Sequence, residues 1–310
     1  MLFSKMNSMW YKIFPLLCAI LVIISCSGRK KHSSSSLSVK KLKTAPEVYL
    51  KKLPDMLNES SALIYFRNKF WTVNDSDNSA ELYGIEPSDG RLSVTIEISN
   101  AENVDWEALT QDEHCIYIGD FGNNFGNRRD LAIYKIPKQE MGEQLYQEID
   151  AEKISFSYAD QKSFVSNYKK TAYDCEAMIC FRDSIYLFTK SWTNNNTLVY
   201  SLPKKPGEYL LRSKDCFRSQ GLITDAAILH GKDKMVLLGY QNYTPFILLI
   251  NSFKGDDFFS GNITRIEMPS IHRAQTEGIC FSEENKLVIS CEDSDFPAQL
   301  FFIDLSALDL

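Results

Sequence analysis

Five short stretches of the sequence share a pattern with chemical potential: an oxygen-bearing residue, then a small one, then an apolar one. They are Ser61-Ala62-Leu63, Glu107-Ala108-Leu109, Glu176-Ala177-Met178, Asp225-Ala226-Ala227 and Glu277-Gly278-Ile279. Four of the five leading side chains are carboxylic acids. Brought together in a confined place they cannot all stay ionised, because each negative charge raises the pKa of its neighbours. A hard cation with oxygen ligands resolves the conflict, and calcium tolerates irregular rings of ligands better than magnesium does. Ser61, Glu107, Glu176, Asp225 and Glu277 are therefore candidate calcium ligands. A second reading stands beside it: acids at such positions can accept backbone amides of the neighbouring repeat and hold no metal.

Polar loops follow each of these stretches, and they read Asn74-Asp75-Ser76-Asp77-Asn78, Gly119-Asp120-Phe121-Gly122-Asn123-Asn124, Thr189-Lys190-Ser191-Trp192, Gly239-Tyr240-Gln241-Asn242 and Cys291-Glu292-Asp293-Ser294-Asp295. Asp75, Asp120 and Glu292 are candidate general bases or ligands of a second ion. Lys190 and Arg128 are suited to neutralising a phosphate or carboxylate, and Trp192 and Tyr240 to stacking on a ring. Asp and Asn also favour such loops for local turn chemistry alone. Other chemistries have no support: the sequence holds no GxSxG elbow, no P-loop and no HExxH helix, and its four histidines are not paired at ligand spacing.

The elements that must position these residues are strands. From residue 45 onward, short runs rich in Tyr, Phe, Ile and Val alternate with Asn, Asp, Gly, Ser and Pro. A weak helical pattern is confined to residues 139–149. Each repeat start opens a strand, followed by a polar turn, a second apolar strand, a loop and a third strand. The starts are spaced by 46, 69, 49 and 52 residues, which suits four-stranded propeller blades with one insertion. Residues 153–158 supply the outer strand of the second unit, and 161–173 are surplus loop. The fifth unit ends after its third strand, so the strand-like segment 47–53 is expected to complete it and close the ring. The fold class is all-β, a five-bladed β-propeller closed by an N-terminal strand; a sixth blade would have to hide in the insertion. The repeat then converges its five leading residues on the axis at one mouth.

The first residues are of a different kind. Lys5 and Lys12 precede an apolar run, 13–24, that is short for a bilayer span and leads into Ile23-Ile24-Ser25-Cys26. This resembles a bacterial lipobox. It implies a signal peptide over 1–26, lipidation at Cys26, a flexible tether over 27–44 and a propeller over 45–310, held at the cell envelope. The net charge of −6, from 34 basic and 40 acidic residues, argues against a nucleic-acid partner. The six remaining cysteines show no metal spacing and read as small buried residues.

The stretches VNDSDNSAELYGI, VDWEAL, YIGDFGNN, DCEAM and TEGI resemble a group of propeller lipoproteins from Bacteroidetes-type bacteria, over roughly residues 55 to 305. More distantly the sequence is similar to secreted calcium-activated nucleotidases, five-bladed propellers whose axial calcium is held by Ser or Glu at each blade entrance. Ser61, Glu107, Glu176 and Glu277 match that pattern, Asp225 stands where that family tends to have Ser, and Val73-Asn74-Asp75 resembles its first acidic loop. The arginine expected after the acidic pair is replaced by Ser76 or Asp77, and 119–124 does not reproduce the family's second signature. Phytase-like and regulator-associated propellers share such blade-start acids. The resemblance thus implies a calcium site more firmly than nucleotide hydrolysis. Three functions follow as expectations: a calcium-dependent phosphoester or phosphoanhydride hydrolase, a binding module for a small-molecule or protein ligand, and an envelope scaffold.

Overall fold

A computed structural model of the chain describes residues 38–41 and 46–308. The expected signal peptide, Cys26 and most of the expected tether lie outside the described residues. Strands β1 (Ser38–Lys41) and β2 (Glu47–Leu50) come first. Blade 1 is β3 (Ile64–Phe66), β4 (Lys69–Thr72), β5 (Glu81–Ile85) and β6 (Leu92–Ile98). Blade 2 is β7 (Trp106–Gln111), β8 (Cys115–Asp120), β9 (Ala132–Pro137) and, after β10 (Tyr146–Ile149), β11 (Glu152–Tyr158). Blade 3 is β12 (Cys175–Phe181), β13 (Ser184–Thr189), β14 (Thr197–Pro203) and, after β15 (Gly207–Leu211), β16 (Asp215–Phe217). Blade 4 is β17 (Leu222–Leu229), β18 (Lys234–Gln241), β19 (Thr244–Asn251) and β20 (Asn262–Glu267). Blade 5 is β21 (Thr276–Glu283), β22 (Lys286–Cys291) and β23 (Gln299–Asp304), with β2 as its outer strand. The five sheets of the described residues are thus five blades, with no sixth in the insertion.

Closure follows the sequence expectation: β2 pairs antiparallel with β23, Glu47 opposite Phe302. Residues 139–149 are not helical beyond one 3-10 turn at Lys138–Glu140, and instead give β10, parallel to β6 on the outer edge of blade 1. Likewise β15 adds to blade 2 beside β11 and β1 to blade 4 beside β20. In blades 2 and 3 the chain therefore leaves its third strand, covers the preceding blade's edge, and returns as the fourth strand. The order β1 then β2 repeats that excursion for blade 5, so residues 38–41, read from sequence as tether, belong to a sheet.

The second strands read as almost unbroken apolar runs because each is buried between two blades. Side chains on facing sheets form five apolar layers around the ring: Trp71, Leu82 and Ile96 against Trp106 and Ile118; Tyr117 and Ile133 against Met178 and Leu187; Phe188 against Leu237 and Phe246; Leu249 and Ile266 against Ile289 and Phe301; and Val288 and Leu300 against Leu63 and Phe70. Each fully buried large side chain contributes about 1.5–3 kcal/mol. Cys115, Cys175, Cys180, Cys280 and Cys291 sit inside these strands as buried thiols.

The layer that closes the ring explains why blade 5 has Gly278 where blades 1, 2 and 3 have alanine. A Cβ there would lie 2.4 Å from Ser290 Oγ and 2.8 Å from the Ala62 carbonyl carbon of blade 1. Gly278→Ala is expected to cost about 1–3 kcal/mol in urea unfolding; a change below about 0.5 kcal/mol, the range of surface substitutions, would mean that the blades separate easily at this seam.

Candidate functional site

Each inner strand enters the axis through an irregularity. The pairing of β7, β12, β17 and β21 with its neighbour skips one residue, at Glu107, Glu176, Thr224 and Glu277 respectively. A β-bulge of this kind re-aims one side chain out of the alternation. Ser61 is the counterpart in blade 1, following Ser60, which bridges Asn74.

This corrects the sequence reading of blade 4, whose bulge residue is Thr224 and not Asp225. Thr224 Oγ1 donates to the Thr276 carbonyl of blade 5 at 2.8 Å, as Ser61 Oγ donates to the Trp106 carbonyl of blade 2 at 2.7 Å. Asp225 lies one residue further along, fully buried, and accepts the amides of Ala226 and of Ile279 in blade 5, both at 2.7 Å. Ser61, Thr224 and Asp225 therefore tie blades together. Two adjacent oxygen-bearing residues, Thr224 and Asp225, hid a one-residue slip that only the bulge position resolves.

The three glutamates are different. Glu107, Glu176 and Glu277 line one cleft of about 350 Å³ with Asp75, Lys190, Tyr240 and Glu292, and the walls are completed by Tyr168, Lys169, Trp192, Tyr243 and Arg273. The second ring is built as regularly as the first. Asp75, Lys190 and Glu292 each follow a second strand, and their amides bond the carbonyls of Glu59, Asp174 and Gln275, which precede the inner strands, at 3.0, 2.6 and 2.9 Å. Phe121 takes the same place in blade 2.

Of the residues proposed for catalysis, Asp75, Lys190 and Glu292 reach the cleft and Asp120 does not. Asp120 is buried, accepting Arg128 Nη2 at 2.8 Å and the Asp105 amide at 3.2 Å. Arg128, which also donates to the Gly122 carbonyl, is consumed by its own loop. Trp192 is fixed by Asp174, whose Oδ2 accepts its Nε1 at 2.6 Å while Oδ1 accepts the Asn123 amide at 2.6 Å.

Two acids escaped the sequence reading, Asp105 and Asp174. Both stand two residues before a bulge glutamate, in Asp-Trp-Glu and Asp-Cys-Glu, so the shared spacing was the available signal. Asp105 matters most: with Asp75 and Glu107 it offers carboxylate oxygens all within 4.8 Å of one another. Gly122 permits this approach, since a Cβ there would sit 2.4 Å from Asp105 Cγ and 2.6 Å from Glu107 Oε1.

The electrostatics divide the cleft in two. On one side Lys190 Nζ donates to Glu176 Oε2 at 2.9 Å, and Glu176 and Glu277 hold the ammonium protonated against the cost of its burial. On the other side no cation of the described chain pairs with Asp75, Asp105 and Glu107. Burial and then the charges of Asp75 and Asp174 push Asp105 up to about 8. Burial, then Glu176 and Asp75, push Glu107 well above the carboxylate range. Burial also raises Glu277 to about 7, with Lys190 opposing, and raises Glu292, with Glu277 adding. Two buried oxygens, Glu176 Oε1 and Glu277 Oε2, have no hydrogen-bond partner. Hard oxygen donors, excess negative charge and orphaned buried acceptors fit a divalent cation of the calcium type.

No protein-family model and no curated protein matches the chain. Among solved structures it is similar to the RRP9 WD40 repeats (TM-score 0.45, 10% identity, 84% of this chain and 99% of that one). It is also similar to a 6-phosphogluconolactonase, described as putative, from Bacteroides uniformis ATCC 8492 (TM-score 0.38, 12% identity, 81% and 68%). A chain of the mitotic checkpoint complex (TM-score 0.38, 9% identity) is matched over 79% of this chain but only 64% of its own length, so the chain spans less than two thirds of that structure.

Proposed function

We propose that this propeller is a calcium-dependent binding protein of the cell envelope, anchored through a lipid on Cys26, whose axial cleft captures its ligand beside a cation held by Asp75, Asp105 and Glu107. The observation that carries this reading is a triad of carboxylates that, among the described residues, has no ion-pair partner, opposite a lysine that already serves the other half of the cleft. Calcium bound there would supply charge balance and open coordination positions for ligand oxygens. The side chains do the rest: Glu107 is held by the bulge of β7, Asp105 by the amides of Phe121 and Gly122 on its carbonyl, and Asp75 by the Glu59 carbonyl.

The binding reading is preferred to a hydrolase because the lysine expected to offset charge on a phosphoryl group is already paired, even though Asp75 and Glu292 stand in the cleft where water could be positioned. Asp120 is turned into its loop, and Lys190 is committed to Glu176 rather than available to a phosphoryl group. Phosphate release from nucleotides and sugar phosphates, measured with and without calcium, is expected to stay at background; calcium-dependent turnover would restore the hydrolase. Anchoring rests on the lipobox pattern, and labelled palmitate is expected to enter the chain and to be lost with Cys26→Ser.

The cation is tested by thermal melting. At a hundredfold excess over Kd, calcium contributes about 2.7 kcal/mol, or about 5 °C or more in Tm for a domain of this size. Glu107→Gln combined with Asp105→Asn should remove that increment, and an unchanged increment would overturn the assignment. The sign with pH is defined. Carboxyl groups with raised folded-state pKa bind more protons folded than unfolded, so the calcium-free protein loses stability as pH rises from about 5 through the values of Glu277 and Asp105, about 7 and about 8. Calcium requires the ionised forms, so its increment should grow over the same interval.

A further inference from the structure

The cleft has features that a cation alone does not use. Tyr168 and Tyr243 stand at its rim 55% and 65% exposed, an unusual display for rings beside a polar pit. Tyr168 belongs to the surplus loop of blade 2, which is held over the mouth: the Asn167 amide bonds the Phe125 carbonyl, the Lys169 amide the Asn124 carbonyl, and the Trp192 amide the Thr171 carbonyl. The insertion thus exists as one wall of the cleft, and no other blade has its like.

Charge narrows what this space can take. An anionic ligand would face Asp75, Glu277 and Glu292, with Lys190 already paired to Glu176 and Arg273 to Asp295. An organic cation would be repelled by charges already placed along the walls: Lys190 Nζ lies 5.2 Å from the Trp192 ring and 5.6 Å from that of Tyr240, Lys169 Nζ lies 4.6 Å from Trp192 and 4.9 Å from Tyr168, and Arg273 Cζ lies 5.6 Å from Tyr243, whereas a neutral ring carries no charge for them to oppose. What the cleft lacks is neutral donors for Glu176 Oε1 and Glu277 Oε2 and oxygen ligands to complete a calcium shell of six to eight. The volume, about 350 Å³, falls at the small end of ligand sites and admits one or two rings.

We propose that the cleft binds a neutral sugar: hydroxyl groups donate to Glu176 and Glu277 and coordinate the cation at Asp75, Asp105 and Glu107, while the ring's C–H face packs on Tyr168 and Tyr243. This rests on the cation reading above. Only binding is involved, with no bond made or broken.

The test uses the full chain in detergent, with calcium titrated first by calorimetry and then neutral methyl hexopyranosides of gluco, manno and galacto configuration followed by saturation-transfer NMR. At least one glycoside is expected to bind with calcium and to be released by chelator, and Tyr168→Ala, at an exposed position, should weaken it about fivefold, as the loss of one ring contact does. Calcium binding without any glycoside binding would sink the sugar proposal and leave the cation in place. Absence of calcium heat would sink both, and glucose 6-phosphate or choline binding more tightly than every glycoside would overturn the charge argument.

Discussion

Replacing Lys190 by methionine is expected to cost the calcium-free protein about 3–5 kcal/mol, the usual penalty for stripping the partner from a buried charge. Lys190 is the cation that the described chain itself supplies to the heart of the cleft, 2.9 Å from Glu176 and acting on Glu277 as well. Without it, two buried glutamates face each other and must take up protons or unfold the mouth. Urea unfolding in chelator measures the loss. Two further results separate the electrostatic account from simple packing. Glu176→Gln in the Lys190→Met background should recover much of the stability, because the two residues are coupled. Calcium should also stabilise Lys190→Met more than the native protein, since an added cation can now answer Glu176 and Glu277 too. A loss under about 1 kcal/mol, in the range of exposed pairs, would show that the pair is not the support the geometry makes it.

The other large effect concerns closure. Removing residues 1–50 deletes β1 and β2, takes Leu50 out of the layer it shares with Val288 and Leu300, and leaves β23 as an open edge. A bare edge of that length invites pairing with other chains, so the truncated protein is expected to melt at least about 10 °C lower, several kcal/mol at the usual conversion, and to aggregate. Moving residues 38–50 to the C-terminus through a short linker should restore the native melting point. The reason is topological: blades 2 and 3 already run from third strand to neighbouring edge to fourth strand, through β10 and β15, and the permuted chain would give blade 5 the same path. If the permuted protein melts like the truncated one, β1 and β2 act through something other than ring closure.

The fold was legible because its signals are local and repeated. Apolar runs such as Cys115–Asp120 and the spacing of the blade starts are consequences of sandwiching every strand between neighbours, and one phase of repetition constrains all five units. The expected closing strand was a matter of completing that phase. The fifth strands on the blade edges were not legible: β10 and β15 are short, half-polar and paired to a blade other than their own, so neither periodicity nor sequence neighbourhood announces them.

The site divides along the same line. The sequence by itself determined that oxygen-bearing residues recur at blade entrances and that Glu107, Glu176 and Glu277 belong to one set, because type and spacing are enough for that. Only the tertiary structure decided which oxygens are free. Bulges one residue long put Thr224 in place of Asp225, and the carbonyls of adjacent blades took Ser61 and Thr224 out of the cleft. Arg128 folded back on Asp120, and the approach allowed at Gly122 brought Asp105 beside Asp75 and Glu107. Except for Arg128, whose partners lie in its own blade, these outcomes turn on a residue supplied by another blade. That is a property of the closed ring, which no single repeat encodes.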